Sequence, residues 1–586
     1  MVGLDIVSSS MFSFLKNRLI GVVLVVWSAS LLHSRADILV WDANNATAGA
    51  QDGSGTWTVG LPNWFNQTGG LNNQSWIDGS DAIFGSGTGT AGTVTLGGPI
   101  TIANLTFNTT GSGSYTIGGS NVLTLSNSLL TTNVSATISA IIGGTTNWTK
   151  AGAGQLTLSG ASTNTNSGKA TVSGGRLHLA KTGGAEALSG DLLIDGGFVT
   201  FENLTTNQIA STSAVTMNQS TSAFNGTGPN ADIATVTQTL ASLTINGGTF
   251  NSGSGSNWNI GSVTFSGASN ALFVGNSASV QTFGSLSLTG MNGISSSSAT
   301  TNGFTIFGNG GPVRTSLTIG SGGLFLDGSK IYLGSGSSGS QLVLNGNVST
   351  GGTSVSTIER VSGGSVEPFV SLSGVAGTVS RTFDIAGNGA NLNILATINN
   401  GAATSASLVK TGEGTLTLGG IESNTYTGET IVNGGTLALS KSAGIIAVAG
   451  DLRINTGGTL TFSQTGQTAA TTNIIVDGGT ISGLTRDQTF ARYTQLSGGL
   501  TASGNSGDIT IGTMTLSGGN QVVINSGNAA NAADWNINTL VMTGADILVG
   551  GNSGVGSPVT NVVIGSGGLT ISGRTITVNH GSSGAV

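Results

Sequence analysis

Apolar and polar residues alternate along most of the chain, in short runs that Gly or Asn interrupts every few positions. Gln155-Leu156-Thr157-Leu158-Ser159-Gly160, Gly174-Gly175-Arg176-Leu177-His178-Leu179, Gly247-Gly248-Thr249-Phe250, Gly434-Gly435-Thr436-Leu437-Ala438-Leu439 and Gly478-Gly479-Thr480-Ile481 are examples. A period of two places the apolar side chains on one face of an extended strand. The preceding glycine accepts the positive φ of a sharp corner. Strands of three to five residues are too short to stand as isolated hairpins. They become stable by stacking, each repeat on the next, as in a solenoid. The pattern predicts an all-β chain, a right-handed parallel β-solenoid (β-helix) of ~20–25 residues per coil, with inward Leu, Val, Ile and Phe and with ladders of Asn and Thr at the corners.

A second, longer period lies over the first. Residues 148–198 align with 408–458 without a gap, so that Trp148-Thr149-Lys150-Ala151-Gly152-Ala153-Gly154-Gln155-Leu156 matches Leu408-Val409-Lys410-Thr411-Gly412-Glu413-Gly414-Thr415-Leu416. Ile319-Gly320-Ser321-Gly322-Gly323-Leu324 returns as Ile564-Gly565-Ser566-Gly567-Gly568-Leu569, at a shorter offset, which places small insertions or deletions between the two matches. The divisions predicted are an N-terminal cap with the first coils over 37–140, a first repeat unit over 141–400 and a second over 401–586. The second unit stops in mid-pattern, and the chain is expected to be a fragment or cut short.

Composition narrows the classes. The 586 residues include 99 Gly, 6 Pro and no Cys, and only 7% are charged. Collagen would need Gly at every third position with abundant Pro. Disulfides, zinc–thiolate sites and thiol nucleophiles are excluded. Charge-driven disorder is disfavoured by a mean hydropathy of +0.22 and a net charge of −7. The acidic balance, with no basic cluster beyond residue 36, argues against nucleic acid as a partner. At the N-terminus, Lys16 and Arg18 precede the apolar run 19–27, and Ser34-Arg35-Ala36 follows as a small-x-small cleavage pattern. Residues 1–36 therefore read as a signal peptide, started at Met1 or Met11. No later segment is apolar enough for a transmembrane helix.

Lys150-Ala151-Gly152-Ala153-Gly154-Gln155-Leu156-Thr157-Leu158 followed by Gly174-Gly175-Arg176-Leu177, and Lys410-Thr411-Gly412-Glu413-Gly414-Thr415-Leu416-Thr417-Leu418 followed by Gly434-Gly435-Thr436-Leu437, resemble the autotransporter-associated β-strand repeat. That resemblance implies an exported β-solenoid of a Gram-negative-type bacterium, a passenger at the cell surface or outer membrane or in the extracellular space. It implies no catalytic residues. A C-terminal translocator barrel, which would need a series of ~10-residue amphipathic strands, is not present in the sequence.

Chemistry is sparse. Trp41, Trp57, Trp64 and Trp76 lie close together, interleaved with Asp42, Asp52, Asp78 and Asp81. They read as an aromatic-rich cap over the open end of the solenoid, with a carbohydrate-stacking platform or a calcium site as the alternatives. His178 and His580 are the two histidines after the signal, and His178 is predicted to point outward between Leu177 and Leu179. Glu359, Arg360, Glu367, Arg381 and Asp384 form the densest charge cluster. Such carboxylates serve polysaccharide lyases or glycosidases on β-helix faces, but ordinary solvated charge between repeat units is the favoured reading. The expectation is a non-enzymatic structural or adhesive protein with no catalytic, cofactor-binding or metal residues and no cofactor. Its expected partners are surface glycans, other cell-surface proteins and the export machinery.

Overall fold

The computed structural model describes residues 37–579 other than 127, 203–206, 226–236, 254, 276–278, 294–302, 307–313, 335–338, 362–365, 388, 504–506, 526–532 and 551–559. The signal reading over 1–36 and His580 lie outside the described residues. All regular structure described is β, and the strands belong to one continuous sheet system.

Strands pair in parallel with the strands one coil before and one coil after. One inward column shows the construction. Leu105 pairs with Leu130, Leu130 with Lys150, Lys150 with Val172, Val172 with Ile194, and Ile194 with Met217. From Lys150 to Val172 to Ile194 each step is 22 residues. The step lengthens elsewhere: Leu288 pairs with Leu326 and Val348 with Phe383. The β-solenoid expected from the alternation is thus observed, with coils of unequal length. Alternation does place the apolar residues inside. In Gln155–Gly160, Leu156 and Leu158 are buried while Gln155 and Thr157 face outward. The core is one cluster that runs from Leu39 to Val549.

Corner polar residues form ladders that are buried rather than solvated. Asn164 accepts from the Ile142 N–H at 2.9 Å and donates to the Ala187 carbonyl at 2.9 Å, so one amide ties three coils together. Asn424 repeats this with Ile398 and Ala447. At another corner Gln208 and Gln467 each join two coils: Gln208 accepts the Lys181 N–H and donates to the Lys181 carbonyl, and Gln467 does the same with Lys441.

The N-terminus departs from the parallel rule. Ile38–Trp41 pairs antiparallel with Trp64–Asn66, which pairs antiparallel with Leu71–Gln74. This fold-back closes the solenoid end. Trp41, Trp57, Trp64 and Trp76 are each at most 1% exposed, with ring centroids 4.8–5.3 Å apart in edge or tilted contacts. Trp41, Trp57 and Trp64 rest on Phe84, which stacks on Phe107 of the following coil. Large rings cover much apolar area, and the aromatic cap read from the sequence is what they build.

Several buried polar groups lack a hydrogen-bond partner among the described residues. Gln281 is fully buried in the strand Val280–Thr289, next to Trp258, and among the described residues neither its amide nitrogen nor its amide oxygen has a hydrogen-bond partner. Each unsatisfied group carries a desolvation penalty. Gln281→Leu is therefore expected to stabilise the protein by about 1 kcal/mol, seen as slower amide exchange in the strands on either side; faster exchange there would show that the amide is satisfied.

Candidate functional site

The densest specific chemistry in the structure lies inside the solenoid, at the two copies of the duplicated motif. Lys150 sits on the strand Trp148–Ala151, where the alternation turns Thr149 and Ala151 outward and Lys150 inward. Its ammonium group is enclosed and donates to three carbonyls: Ala151 at 3.0 Å, Gly152 at 2.9 Å and Gly174 at 2.9 Å. Gly174 lies on the next coil. Lys410 repeats the arrangement with Thr411 at 2.6 Å, Gly412 at 2.8 Å and Gly434 at 3.0 Å. Three donors meet three acceptors, which is all that an ammonium can offer.

The glycines follow from the same geometry. Gly175 has φ +60° and Gly435 φ +59°, a region that L side chains avoid. A Cβ at Gly175 would stand 2.5 Å from the carbonyl oxygens of Gly152 and Gly154 and 2.8 Å from Lys150 Nζ. At Gly435 it would stand 2.5 Å from the oxygens of Gly412 and Gly414. The Lys-x-Gly-x-Gly and Gly-Gly elements of the motif are therefore one structure, a lysine clamp between two stacked turns. Burial pushes both lysine pKa values down to about 8, while the three carbonyls favour the charged form.

Two further lysines are buried one coil later. Lys181 pairs with Gly160, and Lys441 pairs with Gly420. Lys441 Nζ donates to the Gly419 carbonyl at 2.7 Å, whereas Lys181 Nζ has no hydrogen-bond partner among the described residues. Burial pushes both pKa values down to about 8, and Glu422 opposes the shift at Lys441.

The residues singled out in the sequence are placed as follows. The four tryptophans are buried, so none offers a ring face to a sugar; this corrects the carbohydrate-platform alternative. The interleaved carboxylates are engaged separately. Asp42 accepts from the N–H groups of Asn44 and Gln51, and burial raises its pKa against their pull. Burial acts upward on Asp52 as well, but the N–H groups of Ser86, Thr88 and Gly89 and the Tyr115 hydroxyl bring its pKa below the ordinary value. Asp78 accepts from Trp76 Nε1 and the Thr101 N–H. Asp81 accepts from Asn104. Among the described residues no three His, Cys, Asp or Glu side chains converge as a metal site would require.

His178 does point outward, but it is not fully solvated. Its side chain is 12% exposed; Nδ1 lies 3.0 Å from Thr200 Oγ1 and Nε2 3.7 Å from Glu202. Burial lowers its pKa, against the attraction of Glu202. The charge cluster 359–384 lies on the long coils. Glu359 is 4.0 Å from Lys330, Glu367 pairs with Arg360, Asp384 accepts from the Thr411 hydroxyl at 3.0 Å, and Arg381 donates to the Leu344 carbonyl at 2.8 Å. Each group is held by its own partner. The Arg314 guanidinium, 4.5 Å from the centre of the Phe369 ring, also donates to the Glu367 carbonyl.

Comparison with known proteins bears directly on the clamps. The family model described as passenger-associated-transport-repeat matches residues 149–179 and 408–439. This chain carries that repeat twice. Both matches begin within two residues of a clamp lysine and end past its glycine pair, so one repeat is one clamp with the strands it joins. The chain is also 38% identical over 109 residues to the adhesin BmaC autotransporter of Brucella suis biovar 1 (strain 1330). The matched stretch is 17% of this chain and 3% of that relative. The autotransporter-associated repeat recognised in the sequence is the one matched. Outside the two passenger-associated-transport repeats, the same coil geometry continues without the clamp lysine, as at Ile194 and Met217.

Proposed function

We propose that the chain is a passenger segment of an exported, autotransporter-type surface protein, and that it acts as a non-enzymatic rod presenting its outward face to other surfaces. The observation that carries this reading is the pair of passenger-associated-transport repeats set in a continuous solenoid. Similarity to an adhesin autotransporter supports the adhesive part. The physical fit is direct. A parallel solenoid fixes its outward residues on stacked strands about 4.8 Å apart, so weak contacts repeat along the rod and add through multivalency. Ser, Thr and Asn dominate that face, and they suit glycans or the polar surfaces of other cell-surface proteins. The export reading also draws on the signal pattern of residues 1–36. Export machinery is then a necessary partner.

The test is accessibility on intact cells of a producing Gram-negative bacterium. Antibodies against the segment 420–450 are expected to label unpermeabilised cells, and external protease is expected to remove the label. Labelling only after permeabilisation would overturn export. Adhesion is tested separately with beads coated with the whole chain, which are expected to attach to glycan-bearing cell surfaces more than uncoated beads do. Equal attachment would leave a structural rod without an adhesive role.

A further inference from the structure

The hexapeptide Ile319-Gly320-Ser321-Gly322-Gly323-Leu324 breaks the ladder. Phe283 pairs with Ile319, and Ser285 pairs with Gly323, so three residues, 320–322, stand opposite Gly284 alone. The surplus residues bulge from the outward face and wall one side of an open groove of about 400 Å³. Its floor is a column of outward side chains in direct register: Thr264 pairs with Ser287, Ser287 with Phe325, and Phe325 with Ser349. Ser285 and Asn347 complete it.

The hydroxyls of Thr264, Ser285, Ser287 and Ser349 make no hydrogen bonds within the described protein. Asn347 accepts the Thr382 N–H through Oδ1, which leaves its two amide donors for a ligand. Phe325 is the groove's one aromatic ring. It lies against Gly351, where a Cβ would come within 2.6 Å of its Cζ, so the glycine lets the ring lie low on the surface. Elsewhere on the described rod large aromatic rings are mostly core residues; Phe325 is half-buried and outward. No Lys, Arg, Asp or Glu lines the groove.

We propose that this groove binds a neutral linear oligosaccharide, with Phe325 stacking on the apolar face of one sugar ring and the hydroxyl column and Asn347 binding its rim. A sugar ring presents C–H groups on one face and hydroxyls around its edge. An isolated aromatic among unpaired hydroxyl and amide groups matches both at once. The absence of lining charge disfavours sulfated or uronic polymers. Parallel stacking sets the floor groups at regular ~4.8 Å steps, and this suits an extended chain better than a single sugar. The proposal deepens the adhesive reading and rests on it.

The duplicated hexapeptide supplies an internal control. At 564–569 the same bulge recurs: Ile537 pairs with Ile564 and Thr539 with Gly568, leaving 565–567 opposite Asn538. A groove of about 230 Å³ lies on the other side of this bulge, lined by Asn536, Asn538, Val563 and Gly565, and Thr570, which stands at the position of Phe325, is not part of its lining. That copy has no stacking ring and is expected not to bind.

The experiment is calorimetric titration of the whole chain with cellohexaose, chitohexaose and maltohexaose. At least one is expected to bind with a stoichiometry of one. Phe325→Ala is expected to weaken that binding at least about tenfold, and Ser287→Val several-fold, both with an unchanged melting profile because both side chains point outward. Binding that survives both substitutions, a stoichiometry of two, or preference for a polyanionic glycan would overturn the assignment. Beads of the wild-type chain that attach to cells while all three sugars fail to bind would overturn the groove and leave adhesion standing. Attachment lost together with sugar binding in Phe325→Ala would confirm both.

Discussion

Lys410→Ala is expected to destabilise the coils around it by at least about 3 kcal/mol, since each buried carbonyl left without a donor costs about 1–3 kcal/mol. Three carbonyls, on Thr411, Gly412 and Gly434, would lose their donor at once. They are packed against the turn below, where a Cβ already has no room at Gly435, so water cannot replace the ammonium without opening the stack. Lys410→Met separates packing from hydrogen bonding. It refills most of the volume but none of the donors, and it is expected to recover only a minor part of the loss. Lys150→Ala is expected to act in the same way on the coil that contains Gly174. A solenoid unfolds by neighbouring repeats rather than as one unit, so the measurement is local. Amide exchange over Thr430–Val432 and Gly435–Lys441 is expected to accelerate strongly, while exchange near Val94 stays unchanged. Wild-type exchange rates in both strands would show that the clamp is dispensable.

The clamp also marks where sequence reading stops. Alternation located the strands, because burial on a parallel solenoid follows side-chain parity almost strictly, and the clustered tryptophans marked the cap. Lys150 and Lys410 were visible as motif letters, yet a lysine is ordinarily a solvated residue. The signal that would have placed them was the parity itself: in Trp148-Thr149-Lys150 the lysine falls on the same side as the tryptophan, and the glycine pair lies one coil further on. Gln208, Gln467 and Gln281 were missed for the same reason. The antiparallel fold-back at Trp64–Asn66 left no periodic trace, since it depends on which strand the chain meets after a turn. The groove at Phe325 was half legible. The duplicated hexapeptide was seen, but that three residues stand opposite one is a property of the paired coil, which lies some forty residues earlier in the chain.

Lys181→Met is expected to have the opposite sign and to stabilise the protein at neutral pH by about 2–4 kcal/mol, within the range seen when buried ionic groups give way to apolar ones. Lys181 and Lys410 are both buried lysines on inward-facing positions, and what separates them is the acceptor set. Lys410 has three carbonyls, whereas Lys181 Nζ has none among the described residues. An enclosed ammonium without acceptors bears the desolvation penalty with no return, and methionine keeps the length and flexibility needed to fill the space. The pH dependence follows with a definite sign. Burial brings the Lys181 amine from the usual 10.5 down to about 8 in the folded chain. Below pH 8 both folded and unfolded chains hold the proton, and the penalty is present in full. Between about pH 8 and 10.5 the unfolded chain still holds it while the folded chain has released it, so stability rises with pH across that window. Lys181→Met is expected to remove one proton's worth of that rise, and its advantage over the wild type is expected to shrink from pH 7 to pH 10. Amide exchange in Arg176–Lys181 at the two pH values, corrected for intrinsic rates, reads both effects. A variant less protected than the wild type at pH 7 would mean that the amine finds an acceptor in solution, and the contrast with Lys410 would then fail.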